Sequence, residues 1–305
     1  MNIQKKLDVL IKQGYILENA PMGDYTTFRA GGCADLLVVP GSEAELAACI
    51  ALLADEGLHF MVMGNGSNVL VRDGGYRGII LRLSDCCDTI RGEGPAFEAG
   101  AACSLAEVAR YVQARGYTGF EFASGIPGSI GGAAFMNAGA YGGEMKNVIR
   151  KVSLLRRDGR GSYQLNIEEM DYGYRHSVLY ESGDIVTSVS LHLEEGNREA
   201  IADRMRELAQ RRNEKQPISY PSAGSFFKRP QGYYAGKLIE DAGLKGLTVG
   251  GAQVSPLHAG FIINKGGATA SDIEKLMHLV QALVLEHSGV MLEPEVRIIG
   301  EAPWL

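Results

Sequence analysis

The chain has no apolar run long enough to cross a bilayer. Its longest, Leu46 to Ala54, falls far short of the ~20 residues that a spanning helix takes. The amino end, MNIQKKLDVLIKQGY, lacks the apolar core and small-residue cleavage site of a secretory signal. The expectation is a soluble, cytoplasmic protein with no membrane insertion. Clustered lysine and arginine are missing too. With 30 basic against 36 acidic residues and a net charge of −6, no stripe of cations is available to follow a phosphate backbone, which argues against a nucleic-acid partner. A small anionic ligand stays open, because it needs only a few local cations. Cysteine is scarce: there are five, an odd number, with no C-x-x-C pair. Neither a disulfide framework nor a zinc knuckle is favoured, and reduced, mostly buried thiols and no metal are expected.

What the chain has in abundance is glycine, 40 residues of 305. They fall in clusters between predicted elements, as they do where backbone must approach a ligand closely. One cluster, Gly64-Asn65-Gly66-Ser67-Asn68, follows a strand-like run and precedes Val69-Leu70-Val71. It can be a hairpin turn, or a nest of amides turned toward an anion. A second runs from Gly125 through Ile126, Pro127, Gly128, Ser129, Ile130, Gly131, Gly132 and Ala133, and continues as Asn137-Ala138-Gly139-Ala140-Tyr141-Gly142-Gly143. No Gly-Lys-Ser/Thr follows it and it does not match G-x-G-x-x-G, so neither a P-loop nor a dinucleotide fingerprint is present. Small residues over this length let backbone lie against an extended ligand, with helix-terminal amides available to a pyrophosphate.

The secondary structure reads as α+β. Ser42 with Glu45, Ser104 with Glu107 and Ser271 with Glu274 have the spacing of capping boxes and predict three helix starts. A charged helix is expected over about 198–212, and a short one opens the chain with Ile3, Leu7, Leu10 and Ile11 on one face. Strands are expected over 35–39, 59–63, 78–83, 148–157, 184–193, 260–264 and 295–299. Asp158-Gly159 signals a hairpin joining the fourth of these to 162–165. Helix and strand do not alternate regularly enough for a doubly wound sheet. The length suits more than one domain, and the expected division is 1–87, 88–205 and 206–305.

Taken in order, Thr27-Phe28-Arg29-Ala30-Gly31-Gly32, MGNGSNVL, SGIPGSIGGAAFMNAGAYG, YGYRHS, PSAGSFFKRP and LEPEV closely resemble the UDP-N-acetylenolpyruvoylglucosamine reductases, the flavoenzymes that complete UDP-N-acetylmuramate for the peptidoglycan of the bacterial cell wall. The resemblance runs from about Pro21 to Gly300 and is closer to the shorter, type II subgroup. It implies a two-part FAD-binding region of the vanillyl-alcohol-oxidase (p-cresol methylhydroxylase) type and a C-terminal substrate-binding domain. It further implies FAD as cofactor, NADPH as co-substrate, a UDP-sugar substrate and a monomer.

The resemblance assigns roles residue by residue. Arg175 matches the arginine that stabilises charge on the substrate carboxylate, Glu295 the glutamate that acts with it, and Ser225 the donor that protonates carbon. Arg29, Gly64, Asn65, Gly66, Ser67, Asn68, Gly125, Ile126, Pro127, Gly128, Ser129, Gly131, Gly132, Ala133, Gly139, Ala140 and Tyr174 are the expected FAD contacts. Lys215, Lys245 and His258 stand where the family binds substrate.

From the residues alone each has a plainer reading: a surface ion pair for Arg175, a turn for Ser225, solvated side chains for the lysines and His258. A guanidinium nevertheless suits a carboxylate, because its fork binds both oxygens and it stays charged near neutral pH. Glu293 rivals Glu295, since two residues apart on a strand share a face. Phe227 replaces the second glycine of G-x-S-x-G, so Ser225 is not a hydrolase nucleophile. The family commonly has asparagine where this chain has Arg229. Rival functions are another FAD oxidoreductase of this fold and a catalytically silent flavin- or nucleotide-binding module.

Overall fold

The structure, a computed structural model, describes residues 3–302. These form two compact units, each built from separate stretches of chain. The first comprises residues up to Leu17, then Leu36–Asn65 and Gly78–Gln210; the second comprises Glu18–Asp35, Gly66–Arg77 and Arg211 onward.

In the first unit an antiparallel sheet of five strands runs in the order Ser162–Asn166, Ile149–Leu155, Ile185–His192, Ala96–Gly100, Ile90–Arg91. The Asp158-Gly159 hairpin is as expected, with Gly159 at φ +72° and Leu155 opposite Ser162. The strand Phe60–Met63 pairs in parallel with Tyr76–Arg82. Helices Ile3–Leu10, Glu43–Asp55 and Leu105–Arg115 place Leu7, Leu46, Ile50, Leu53, Val108 and Val112 in one apolar core with the sheet residues Val152, Leu154 and Val189.

The second unit packs the helix Ala270–Ser288 on an antiparallel sheet of Thr248–Val249, Ala252–Val254 and Ile262–Asn264. Ile273, Leu276, Met277 and Val280 join Phe28, Phe226 and Phe227 in its core. The strands Val69–Val71 and Arg297–Ile299 pair in parallel. Because Val69–Val71 takes Arg297–Ile299 as its partner, the Gly64–Asn68 loop is not a hairpin turn.

The three helix starts differ in chemistry. Ser104 and Glu107 form the reciprocal capping box. Ser42 caps its helix by accepting from the Glu45 N–H, but the Glu45 carboxylate turns instead to the amides of Lys12, Gln13, Gly14 and Gly41. Ser271 is not a cap. The helix begins two residues earlier than that cap implies, with Thr269 and Asp272 as its box, and the Ser271 hydroxyl donates to Asp73 at 2.6 Å. Sequence spacing finds this helix but misplaces its start, because Asp272 is as good a box partner as Glu274.

Cys49, Cys86 and Cys103 are buried and all five thiols are free. Burial pushes Cys49 up to about 12 and Cys103 up to about 11, so both stay protonated. Among the described residues no helix is long and apolar enough to cross a membrane.

Candidate active site

The expected site residues fall in both units. Gly64, Asn65, Gly125–Ala133, Gly139, Ala140, Tyr174 and Arg175 belong to the first; Arg29, Gly66, Ser67, Asn68, Lys215, Ser225, Lys245, His258 and Glu295 belong to the second.

In the first unit the glycine segments are drawn together. A Cβ on Gly64 would stand 2.4 Å from the Ser129 Oγ, closer than any real contact. Ser129 caps the helix Ile130–Phe135 by accepting from Gly132 N–H, and an isolated bridge joins Ser129 to Ser104. Gly131 approaches as closely: its Cβ would lie 2.8 Å from that of Ala101. Gly128 has φ +146°, a conformation L side chains rarely adopt. Ile126 and Ala133 are held by main-chain bonds to Ala123 and Ser129, and Ala140 pairs with Gly143.

Arg175 lies at φ +54° in a tight turn closed by Gly173 and His176, whose N–H and C=O bond at 3.2 Å. Its Nη2 donates to the Gly139 carbonyl at 3.2 Å. Its guanidinium sits 5.1 Å from the centre of the half-exposed Tyr174 ring. Glu144 is nearby in charge terms: burial acts to raise its carboxyl, but hydrogen bonds from Lys146 and Asn137, with the charges of Lys146 and Arg175, hold it below the usual carboxylate range.

In the second unit Ser225 and Glu295 lie on neighbouring segments. Glu295 N–H donates to the Phe226 carbonyl at 2.8 Å, and Phe227 bridges Pro294. Gly224, at φ +77°, turns the chain so that Ser225 is exposed while Phe226 and Phe227 are buried. The Phe226 ring meets Phe28 edge-on at 6.1 Å. Glu293 and Glu295 stand in different environments. The strand starts only at Arg297, Glu293 is exposed and ion-paired with Lys228, and Glu295 is half-buried with its carbonyl accepting from Asn68 Nδ2 at 3.1 Å.

His258 is linked to this segment through Gly260, whose carbonyl accepts from Phe226 N–H at 2.8 Å. Its Nδ1 accepts from Gly260 N–H at 3.1 Å, which leaves the proton of the neutral ring on Nε2. Burial lowers the His258 pKa, and the Lys245 charge lowers it further. Lys245 donates to Glu240 at 2.6 Å. Lys215 is exposed at the end of the helix Arg198–Lys215. Arg229 is exposed, its guanidinium 4.7 Å from the centre of the Tyr234 ring.

Sequence reasoning passed over two asparagines. Asn264 is buried; its amide donates to the carbonyls of Phe28 and Arg29, and its Oδ1 accepts from Gly266 and Ala268. It thereby fixes the turn on which Arg29 stands exposed at φ +52°. Asn137 plays a comparable part in the first unit. Both stand inside glycine-rich segments, which was the available signal.

The residues fit FAD. Gly64 and Ser129 meet without room for a Cβ, which holds the first glycine loop against the start of the helix Ile130–Phe135. In the second unit the amide of Ser67 has no acceptor among the described residues, and the buried Thr26 hydroxyl lacks a partner. Donors of this kind suit pyrophosphate oxygens. Among the described residues no cluster of His, Cys, Asp or Glu could hold a metal ion. A separate cleft of about 500 Å³ in the first unit, lined by Ser42, Cys87, Arg91 and Glu98 among others, contains none of the expected residues.

Comparison with known proteins agrees with this reading. Residues 34–161 match the FAD binding domain, and residues 216–299 match the C-terminal domain of UDP-N-acetylenolpyruvoylglucosamine reductase. The chain is 51% identical to the UDP-N-acetylenolpyruvoylglucosamine reductase of Caldanaerobacter subterraneus over 97% of both chains. It is 46% identical to that of Alkaliphilus oremlandii, again over 97% of both. The crystal structure of the Thermus caldophilus enzyme superposes with a TM-score of 0.80 at 36% identity, covering 93% of this chain and 98% of that one. The α+β class and the cofactor expectation are borne out, and the chain belongs to the UDP-N-acetylenolpyruvoylglucosamine reductase family, FAD-dependent oxidoreductases of peptidoglycan precursor synthesis.

Proposed function

We propose that the protein reduces UDP-N-acetylglucosamine enolpyruvate to UDP-N-acetylmuramate with NADPH as the electron source, and that Arg175, Ser225 and Glu295 are its catalytic residues. FAD, which the glycine-rich segments around Gly64 and Gly128 would hold, would supply the redox chemistry that links NADPH to the enolpyruvyl group, with hydride added at the terminal carbon. Negative charge then develops on the neighbouring carbon and its carboxylate. Arg175 binds that carboxylate through its guanidinium fork, and its fixed positive charge stabilises the enolate-like state. Glu295 acts with it on the same group. Ser225 gives its hydroxyl proton to the carbon; a weak acid suffices because the carbanion is strongly basic and the donor is placed.

Lys245, His258 and Lys215 take the UDP portion, and residues 1–87 and 88–205 form the two parts of the flavin region, with 206–305 for substrate. The protein works as a monomer in the cytoplasm.

The observation that carries this reading is the pairing of the Ser225 and Glu295 segments. Glu295 N–H meets the Phe226 carbonyl, with an exposed hydroxyl above a buried aromatic floor. A silent flavin-binding module has no use for that arrangement. The test is Ser225→Ala: it is expected to retain flavin and to be reduced by NADPH, while product formation falls by ~10²-fold or more, the usual contribution of a positioned general acid. Product formation at the wild-type rate would remove Ser225 from the mechanism.

A further inference from the structure

Asn137 is fully buried and lies at φ +47°. Its side chain is used on every side. Nδ2 donates to Glu144 Oε2 at 3.0 Å and to the Gly173 carbonyl at 2.9 Å, and Oδ1 accepts from Lys146 N–H at 3.0 Å. One amide therefore ties the glycine-rich segment to the Glu144–Lys146 segment and to the turn that carries Arg175.

That turn is under strain. Tyr174 and Arg175 are its two corner residues, and Arg175 occupies the left-handed region, which is unfavourable for an L residue. A glycine there would relax it, yet the position holds a long cationic side chain. Such conformations persist where surrounding contacts over-determine them. Here three such contacts come from the segment 135–139: the Ser177 hydroxyl donates to the Phe135 carbonyl, Asn137 holds the Gly173 carbonyl, and Arg175 Nη2 reaches the Gly139 carbonyl. Glu144, held by the same Asn137 amide, supplies a carboxylate whose charge acts on Arg175.

We propose that Asn137 is the positioning residue for Arg175, holding the strained turn so that the guanidinium is presented in one place. This rests on the reading of Arg175 as the group that binds the substrate carboxylate. Asn137 touches no reacting atom. Its effect is exerted through Arg175 and depends on Arg175 being there.

The test uses the flavin-loaded enzyme and Asn137→Gly, since glycine removes the amide yet accepts φ +47° without strain, whereas alanine would not. Reduction of the bound flavin by NADPH is expected to stay within about twofold of wild type, while reoxidation by UDP-N-acetylglucosamine enolpyruvate slows by about tenfold or more; misplacing a reacting group by ~1 Å can cost 10²-fold. Combined with Arg175→Ala, Asn137→Gly is expected to add less than about twofold, the non-additivity of residues that act as one. Amide exchange in residues 173–177 should quicken in the single variant.

Equal slowing by Asn137→Gly with and without Arg175, or no slowing at all, overturns the proposal. Asn137→Asp, which keeps the acceptor for Lys146 but faces the Gly173 carbonyl with an oxygen, is read the same way if the glycine variant loses flavin. Failure of both to hold flavin makes Asn137 purely structural and also overturns it. A wild-type flavin that this substrate does not reoxidise overturns the functional reading itself. Normal wild-type reoxidation with an unaffected variant removes only Asn137.

Discussion

Asn68, the last residue of the Gly64–Asn68 loop, donates its side-chain amide to the main-chain carbonyl of Glu295 at 3.1 Å, and its own carbonyl accepts from Arg297 N–H at 3.0 Å. A residue expected to touch flavin thus also fixes the segment that carries Glu295. Removing the amide as Asn68→Ala should cost about 1 kcal/mol of stability, the usual net worth of such a bond, and should reduce turnover. Asn68→Asp should cost more, because a carboxylate oxygen would replace the donor opposite the carbonyl. Urea denaturation and steady-state rates of the two variants check the order; equal stability of Asn68→Asp and wild type would show that the bond is not made.

Gly64→Ala should weaken flavin retention by forcing the Ser129 hydroxyl away. With Ser129→Ala added, the nearest Ser129 atom to the new methyl is the Cβ at 3.4 Å, which is an ordinary contact. The double variant should therefore recover part of the flavin content lost in the single one. Flavin absorbance per protein after purification measures this, and a double variant no better than Gly64→Ala would show that the clash lies elsewhere.

The glycine-rich segments and the order of the motifs were legible in the sequence, as were the Leu105–Arg115 helix start and the hairpin at Asp158-Gly159, because each depends on residues close together in the chain. Four features were not. The parallel partners of Phe60–Met63 and Val69–Val71 come from residues 76–82 and 297–299, and pairing at such separation leaves no local mark, so a hairpin remained open for the loop between them. Ser271 yielded to Thr269 because two overlapping capping boxes fit the same stretch. Glu293 and Glu295 looked equivalent as strand neighbours and differ because Lys228 claims Glu293. The strand Ala96–Gly100 escaped notice for its lack of β-branched residues.

Glu45 should be a stabilising carboxylate whose contribution depends on pH. Burial acts to raise its pKa, but hydrogen bonds from the amides of Gln13, Gly41, Lys12 and Gly14 outweigh burial and leave the pKa lowered. The folded state then holds the proton less tightly than the unfolded chain, so the stabilisation is full above the ordinary carboxylate pKa and is lost as pH falls through the lower folded value. Glu45→Gln should cost about 2 kcal/mol at pH 7, as expected for bonds to a charged acceptor. Denaturation of both proteins across the acid range should show this gap narrowing; a gap that widens toward low pH would contradict it.

His258 has the opposite charge type and the same direction of pH effect. Its lowered pKa, caused first by burial, means that the unfolded chain takes up a proton near pH 6.5 before the folded state does. Stability attributable to His258 is therefore present above the unfolded value and falls as pH drops through the folded one. Relative to His258→Gln, wild type should lose thermal stability as pH falls below about 6.5, the unfolded value, with Lys245 and Glu240 the charged neighbours that modulate it. A melting-temperature difference independent of pH below that value would mean that the ring titrates alike in both states.

The central claim is that an enolpyruvyl UDP-sugar is the electron acceptor. The direct measurement is anaerobic single-turnover mixing of the NADPH-reduced, flavin-loaded protein with UDP-N-acetylglucosamine enolpyruvate, followed by flavin absorbance and product analysis. The predicted result is rapid return of oxidised flavin absorbance with one UDP-N-acetylmuramate formed per flavin. Flavin that stays reduced in the presence of this substrate would contradict the account.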